Sequence, residues 1–255
     1  PPPPSDDLYS KLFPVYLPIL ICQVSIHFFE NIFSSSIFLH QFSVWIPEIL
    51  QFFCYKINNL VSRQALNVQR LAIMEDGEIR PSNFDVLFDI IAAAQSDVVI
   101  DNGASSFVAL SHYLISQQVP ARLKNMGHEL VIHTAITGGQ ALADTVNGFQ
   151  ELAGQFPEDV LLCVWLNPYW GKIEYEGKEF EQMRAYQNHH ARVSGLVRIP
   201  SLNKDTFGRD FSDMLRARLT FAEAIAMPDT PIIVRQRLTM IQRELFGNMA
   251  NARVL

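Results

Sequence analysis

From Ala65 onward, short apolar runs alternate with amphipathic stretches, and that alternation narrows the fold more than any other feature of the sequence. Asp97-Val98-Val99-Ile100-Asp101 has the length and apolar content of a buried strand. Asn102-Gly103 then turns the chain, Ser105 is placed to cap, and Phe107, Leu110 and Leu114 mark a helix. Glu129 to Ile136 predicts a second strand, turned by Thr137-Gly138-Gly139. Leu142, Thr145, Val146, Phe149, Leu152, Ala153 and Phe156 follow at helical spacing. Val160 to Leu166 predicts a third strand, stopped by Asn167-Pro168, and Ser194 to Ile199 a fourth, stopped by Pro200. Ahead of them all, Pro81-Ser82-Asn83 opens a helix along Phe84, Leu87, Phe88 and Ile91, with Ser82 and Asp85 at capping-box spacing. Two helices close the chain. One runs along Phe211, Leu215, Leu219 and Ala222, the other along Val234, Leu238, Ile241 and Leu245, ending at Gly247.

Strands that are apolar throughout are buried on both faces, so this pattern predicts an α/β fold: a mostly parallel sheet with helices on both faces. Such sheets bind ligands beyond the carboxyl ends of their strands. The candidate site residues are therefore Asp101 to Gly103, Thr137 to Gly139, Asn167 and Pro200.

Each has a functional and a plain reading. Asp101 can hold a hydrated Mg²⁺ through its carboxylate, or serve as a turn residue in Asp-Asn-Gly. Thr137-Gly138-Gly139 can form a backbone nest for an anion, or simply a tight strand-to-helix turn. Asn167 can read a base edge with its amide, or open a turn before Pro168. His128 and His133 lie five apart on one strand, hence on opposite faces, and cannot share a metal. His189-His190 reads as a solvated helix end, and Cys163 as a small core residue. Three cysteines at wide spacing form neither a disulfide framework nor a zinc motif, and a net charge of −6 gives no general affinity for nucleic acid.

The alternation does not extend to the front of the chain. Residues 1–62 carry six charged side chains, twelve aromatics and no glycine. Leu12 to Phe29 and Asn31 to Pro47 are both free of charge, although Pro14 and Pro18 interrupt the first run. Three readings stand for this stretch: a frame-shifted or non-native extension, a membrane-associated hairpin through residues 12–47, or a folded cap. The chain thus divides into an atypical apolar segment, 1–62, and an α/β domain, 63–255. The first glycine is Gly77, so residues 1–76 contain no G-x-x-x-x-G-K-[ST] phosphate loop.

Several long runs carry a resemblance to a known family. They include Ala65-Leu66-Asn67-Val68, Val98 through Phe107, Ser111-His112-Tyr113-Leu114-Ile115, Gly127 through Thr134, Trp165 through Gly171, and Phe207-Gly208-Arg209-Asp210. On these, the chain from about Arg63 to Leu255 resembles the TraL/StbB-type conjugal transfer proteins of bacterial plasmids, within the ParA/MinD-like, deviant-Walker branch of P-loop ATPases. The resemblance implies ATP and Mg²⁺ as cofactors, with Asp101 at a water-mediated Mg²⁺ position and Asn167 and Pro200 at the adenine. It further implies a bacterial cytoplasmic setting, transfer proteins and plasmid DNA complexes as partners, and a nucleotide-sandwich homodimer. The family's first strand and glycine-rich phosphate loop are missing or replaced here, which removes the basis for hydrolysis and leaves no confident catalytic residue. A gap at that strand also predicts open strand edges unless the first sixty residues fill it. A non-enzymatic binding module of the transfer machinery and a membrane-anchored accessory protein are the competing functions.

Overall fold

The computed structural model describes residues 17–24, 53–56, 68–70, 74–75, 78–94, 98–217 and 219–252; before residue 80, and at 99 and 101–106, it describes the backbone alone. Seven strands form the main sheet: β1 (Leu17–Val24), β2 (Phe53–Lys56), β3 (Val68–Arg70), β6 (Val98–Gly103), β7 (His128–Thr137), β8 (Leu161–Asn167) and β11 (Val193–Arg198). Two short antiparallel ribbons stand apart from it, β4 (Met74–Glu75) with β5 (Glu78–Ile79) and β9 (Glu174–Tyr175) with β10 (Lys178–Glu179). The sheet order is β11-β8-β7-β1-β6-β2-β3, and every neighbouring pair in it is parallel.

Eight α-helices lie among the described residues: α1 (Asn83–Ala93), α2 (Ala104–Ser116), α3 (Val119–Asn125), α4 (Leu142–Gln155), α5 (Arg184–His189), α6 (Phe207–Arg216), α7 (Phe221–Ala226) and α8 (Ile232–Asn251). They cover both faces, and strand β8 shows the division residue by residue. Leu162, Val164 and Leu166 pack into a core with Phe84, Leu110 and Phe149 from α1, α2 and α4. Cys163 and Trp165 point the other way, into a second core with Phe211, Phe221, Leu238 and Ile241 from α6, α7 and α8. The period-two alternation of a doubly covered strand thus sorts one continuous apolar run into two cores.

The expected gap in the sheet does not occur. Leu17–Val24 lies between β6 and β7, hydrogen-bonded to both, with Cys22 level with Asp101 on one side and His133 on the other. No gap opens there, and β6 and β7 have paired inner edges. Apolar and proline-poor over most of its length, LPILICQV suits a central strand, and Pro18 near its start costs a single ladder donor.

Other local expectations are corrected. Ser82 precedes α1 but makes no side-chain cap bond. Pro81 already winds the chain, with Asn83 N–H donating to the Arg80 carbonyl at 3.0 Å and Phe84 N–H to Pro81 at 3.0 Å. Ser82 is therefore in a helical conformation (φ −62°, ψ −22°), and its hydroxyl is not turned back on the helix end. The Asp85 carboxylate instead accepts the Tyr113 hydroxyl at 2.6 Å, tying α1 to α2. Ser105 falls inside α2, which begins at Ala104. The helix expected from Phe211 to Ala222 is broken in two: Leu219 N–H bonds back to the Met214 carbonyl at 3.0 Å, and Thr220 with Glu223 forms a capping box that starts α7. Finally, α8 runs through Gly247 to Asn251, because Met249, beyond the expected stop, is buried in the same core as Phe246.

Candidate functional site

The order of strands locates the place where a ligand fits such a sheet. From β6 the chain crosses over β1 to continue on the other side with β7, so the topological switch point lies at β1. Crevices at such points, outside the carboxyl ends of the strands, are where doubly wound sheets bind ligands. Beyond Val24, the last residue of β1, the sequence reads Ser25-Ile26-His27-Phe28-Phe29-Glu30. It has neither a glycine to let backbone N–H groups close around a phosphate nor a lysine to neutralise one. The strand order marks the position, while the sequence that follows β1 lacks the chemistry of a phosphate cradle.

On the β7–β8 side, the carboxyl edge is built backbone against backbone. Strand β7 ends at Thr137, whose N–H donates to Thr145 Oγ1 at 3.1 Å; that hydroxyl in turn donates to the Ala141 carbonyl at 2.9 Å. Buried Thr145 thus fixes the start of α4 to the end of the strand. Gly138 N–H donates to the Asn167 carbonyl at 3.1 Å, carrying the pairing one step beyond the strands. A Cβ on Gly138 would lie 2.0 Å from the Gly171 carbonyl oxygen, and one on Gly139 would lie 2.8 Å from the Trp170 carbonyl oxygen. Gly139 also has φ +73°, in the left-handed region. Of the two readings of Thr137-Gly138-Gly139, the geometry favours the turn: the glycines let the 168–172 loop settle onto the strand end.

Asn167, the last residue of β8, is 8% exposed. Its Oδ1 accepts the Tyr169 N–H at 3.1 Å, so the side chain opens the turn that Gly171 N–H closes onto the Pro168 carbonyl at 3.1 Å. This leaves its Nδ2 amide without a partner among the described residues. Pro200 sits at the end of the neighbouring strand. Ile199 N–H still donates to the Leu166 carbonyl at 2.9 Å, and half-buried Pro200, with no N–H to offer, follows where the pairing stops. The structure therefore brings Asn167 and Pro200 to the same edge, on adjacent strands.

Asp101 is not gathered with them. Strand β6 runs on through Asn102 and Gly103, two residues further than the sequence pattern predicts, so the Asp101 backbone lies within it, level with Cys22 and His133. Asn167 is level with Thr137. Strand spacings place Asp101 about 14 Å across the sheet and about 13 Å back along it from Asn167.

The pattern of residues missed one buried polar pair. His133, 2% exposed, accepts the Trp165 indole N–H through Nδ1 at 2.9 Å, which assigns the ring proton to Nε2. That Nε2 is buried without a partner among the described residues. Burial pushes the imidazole down to about 3, so it is neutral in the fold. In the unfolded chain it titrates near 6.5. Its contribution to stability is therefore complete above pH 6.5 and is lost as the pH falls toward 3, at about 1.4 kcal/mol per pH unit. His133→Gln keeps an acceptor for Trp165 and removes the titration. Between pH 6.5 and 5.0 its unfolding free energy is expected to fall by about 2 kcal/mol less than that of the parent. Urea titrations at the two pH values measure this, and equal losses contradict the assignment. Nothing in the sequence beyond two ring-bearing residues on inward positions announced the pair.

Of the predicted solvated helix end, His190 is exposed, whereas His189, which ends α5, is half-buried with its ring set perpendicular to that of buried Phe149. Cys163 is buried, which pushes its thiol up to about 12 and makes it a core residue rather than a nucleophile. Among the described residues no cluster of three metal-ligating side chains occurs, and no helix is long and apolar enough to cross a membrane.

A parallel sheet with a central switch point and helices on both faces define a doubly wound α/β protein. No family model and no solved structure matches the chain. Two proteins from Escherichia coli, each named Protein TraL, are similar to it: one is 62% identical over 192 residues, covering 75% of this chain and 80% of the relative. The other is 58% identical over the same coverage. The chain belongs to the TraL family.

Proposed function

We propose that this chain is a plasmid conjugal-transfer protein built on a ParA/MinD-like, ATP-binding frame from which hydrolysis has been lost. The supporting observation is a combination: TraL-type sequence on a doubly wound parallel sheet whose central strand is followed by no glycine or lysine. Phosphoryl transfer relies on positioning and on electrostatic stabilisation by the phosphate loop, its lysine and Mg²⁺. With that loop gone, Asn167 and Pro200 are left to hold the base, and Asp101 to hold a hydrated Mg²⁺. In this reading the partners are other transfer proteins and plasmid DNA complexes, the setting is the bacterial cytoplasm, and pairing into a homodimer lacks the loop through which relatives sandwich nucleotide.

The domain boundary near residue 63 belongs to the same reading. The matched length of 192 residues is nearly that of residues 63–255, which number 193. Residues 1–62 then stand outside the family region as an extension of other origin, even though Leu17–Val24 takes the central strand position. That strand also takes Leu17–Val24 out of any apolar hairpin through residues 12–47; the rest of that stretch lies outside the described residues.

Mg²⁺-ATP at millimolar concentration is expected to raise the melting temperature by a few degrees, as any ligand of the native state does. Phosphate release is expected to stay at the level of a blank. Absence of a thermal shift removes the nucleotide reading and leaves a non-enzymatic binding module of the transfer machinery; turnover above the blank contradicts the loss of hydrolysis. Restored mating by a plasmid lacking its own TraL, when this chain is supplied, tests the role in transfer independently of nucleotide.

A further inference from the structure

Trp170 follows the carboxyl end of β8 with its side chain 52% exposed. It is not loosely held. The turn closed by Gly171 N–H on the Pro168 carbonyl sets residues 169 and 170 just beyond Asn167, where the loop packs on Gly138 and Gly139 at the end of β7. The Trp170 backbone rests against Gly139, and the Tyr169 ring meets the indole edge-on at 4.8 Å between centroids. A half-exposed indole held through its backbone and through the Tyr169 ring costs little further entropy on binding a flat partner. Beside it, the Asn167 amide has its Oδ1 committed to Tyr169 N–H and its Nδ2 donor unpartnered among the described residues. An amide donor next to a fixed aromatic plane is the pair of features that recognises a flat heterocycle with a ring-nitrogen acceptor: one reads an edge, the other stacks on the face.

Resting on the nucleotide reading above, we propose that Trp170 is the stacking surface for the base, and that this edge recognises the nucleoside end of its ligand independently of the phosphates. The absence of glycine and lysine after β1 gives the second half of the proposal. With no cradle for the phosphates, adenosine, AMP and ATP are held by the same contacts and bind alike.

Equilibrium dialysis of the full chain against labelled adenosine, AMP, Mg²⁺-ATP and inorganic tripolyphosphate tests both halves. The three adenine compounds are expected to bind within about threefold of one another, with tripolyphosphate not binding. Trp170→Ala is expected to weaken all three by about tenfold, and Trp170→Phe, which keeps a stacking face, to recover most of the loss. Circular dichroism melts on both variants check that the fold is intact. Binding of ATP and tripolyphosphate without adenosine overturns the proposal while leaving a nucleotide site. So does adenosine binding that Trp170→Ala does not change. No binding by any adenine compound overturns both the proposal and the nucleotide reading on which it rests.

Discussion

Alanine at position 138 is expected to destabilise the protein by on the order of 3–5 kcal/mol, near the upper end of what a single added methyl does. The Cβ would meet the Gly171 carbonyl oxygen at 2.0 Å, its carbon at 2.7 Å and the Lys172 carbonyl oxygen at 2.8 Å. All three are backbone atoms, so no rotamer change relieves the contact, and the 168–172 loop has to lift off the end of β7. Lifting it also breaks the Gly138 N–H bond to the Asn167 carbonyl and displaces the turn that carries Trp170. Gly148, in the middle of α4 with nothing within 4 Å of its missing Cβ, is the matched control. Gly148→Ala is expected to stabilise by up to about 1 kcal/mol, since it removes backbone freedom from the unfolded chain and adds helix propensity. Urea midpoints of the two variants against the parent decide the matter. Similar midpoints for both mean that the close approach of the two loops is not maintained in solution.

Asp210→Ala is expected to cost about 3–5 kcal/mol, for an electrostatic reason rather than a steric one. The carboxylate, 5% exposed, accepts Arg237 Nε–H at 2.5 Å, and the Arg237 side chain is itself only 16% exposed. Arg209, largely in solvent, lies 3.8 Å away and adds little. Removing the carboxylate leaves a largely desolvated guanidinium on α8 with its principal partner on α6 gone. Replacing the pair together, Asp210→Leu with Arg237→Met, removes both charges and is expected to recover most of the loss, because the desolvation penalty of the ions disappears with them. Denaturant unfolding of the single and double variants separates the cases. A double variant as unstable as Asp210→Ala alone points to packing rather than charge.

The two residue pairs also show where the sequence was readable. Gly138-Gly139 was legible as a turn because two glycines after an apolar run leave few other readings. That the turn exists to admit a second loop was not legible, since Gly171 lies more than thirty residues away and only the sheet register brings it there. Asp210 belongs to a recognisable run, Phe207-Gly208-Arg209-Asp210, yet its partner Arg237 is on another helix and nothing in local spacing links them. His133 and Trp165 were each legible as strand residues; their hydrogen bond depends on β7 and β8 being neighbours with both side chains on the α6–α8 face.

Local signals failed where neighbouring bonds outweighed them. Ser82 and Asp85 had the spacing of a capping box, but the turn begun by Pro81 placed Ser82 inside the helical conformation and Asp85 within reach of Tyr113. Of the candidate site, Asn167 and Pro200 fall at strand ends as the sequence pattern predicts, whereas the strand predicted to end at Asp101 ends two residues further on.

By itself, the sequence determined the class of fold, the two-faced burial of its strands and the absence of a phosphate loop, because each rests on composition or spacing within a few residues. The tertiary structure alone decided the order of the strands, the central position of Leu17–Val24 and the meeting of the 138–139 and 168–172 loops. Those depend on which edges pair across large separations in sequence, and hydrogen-bond donors and acceptors on every strand are chemically alike until the packed cores on both faces select among them.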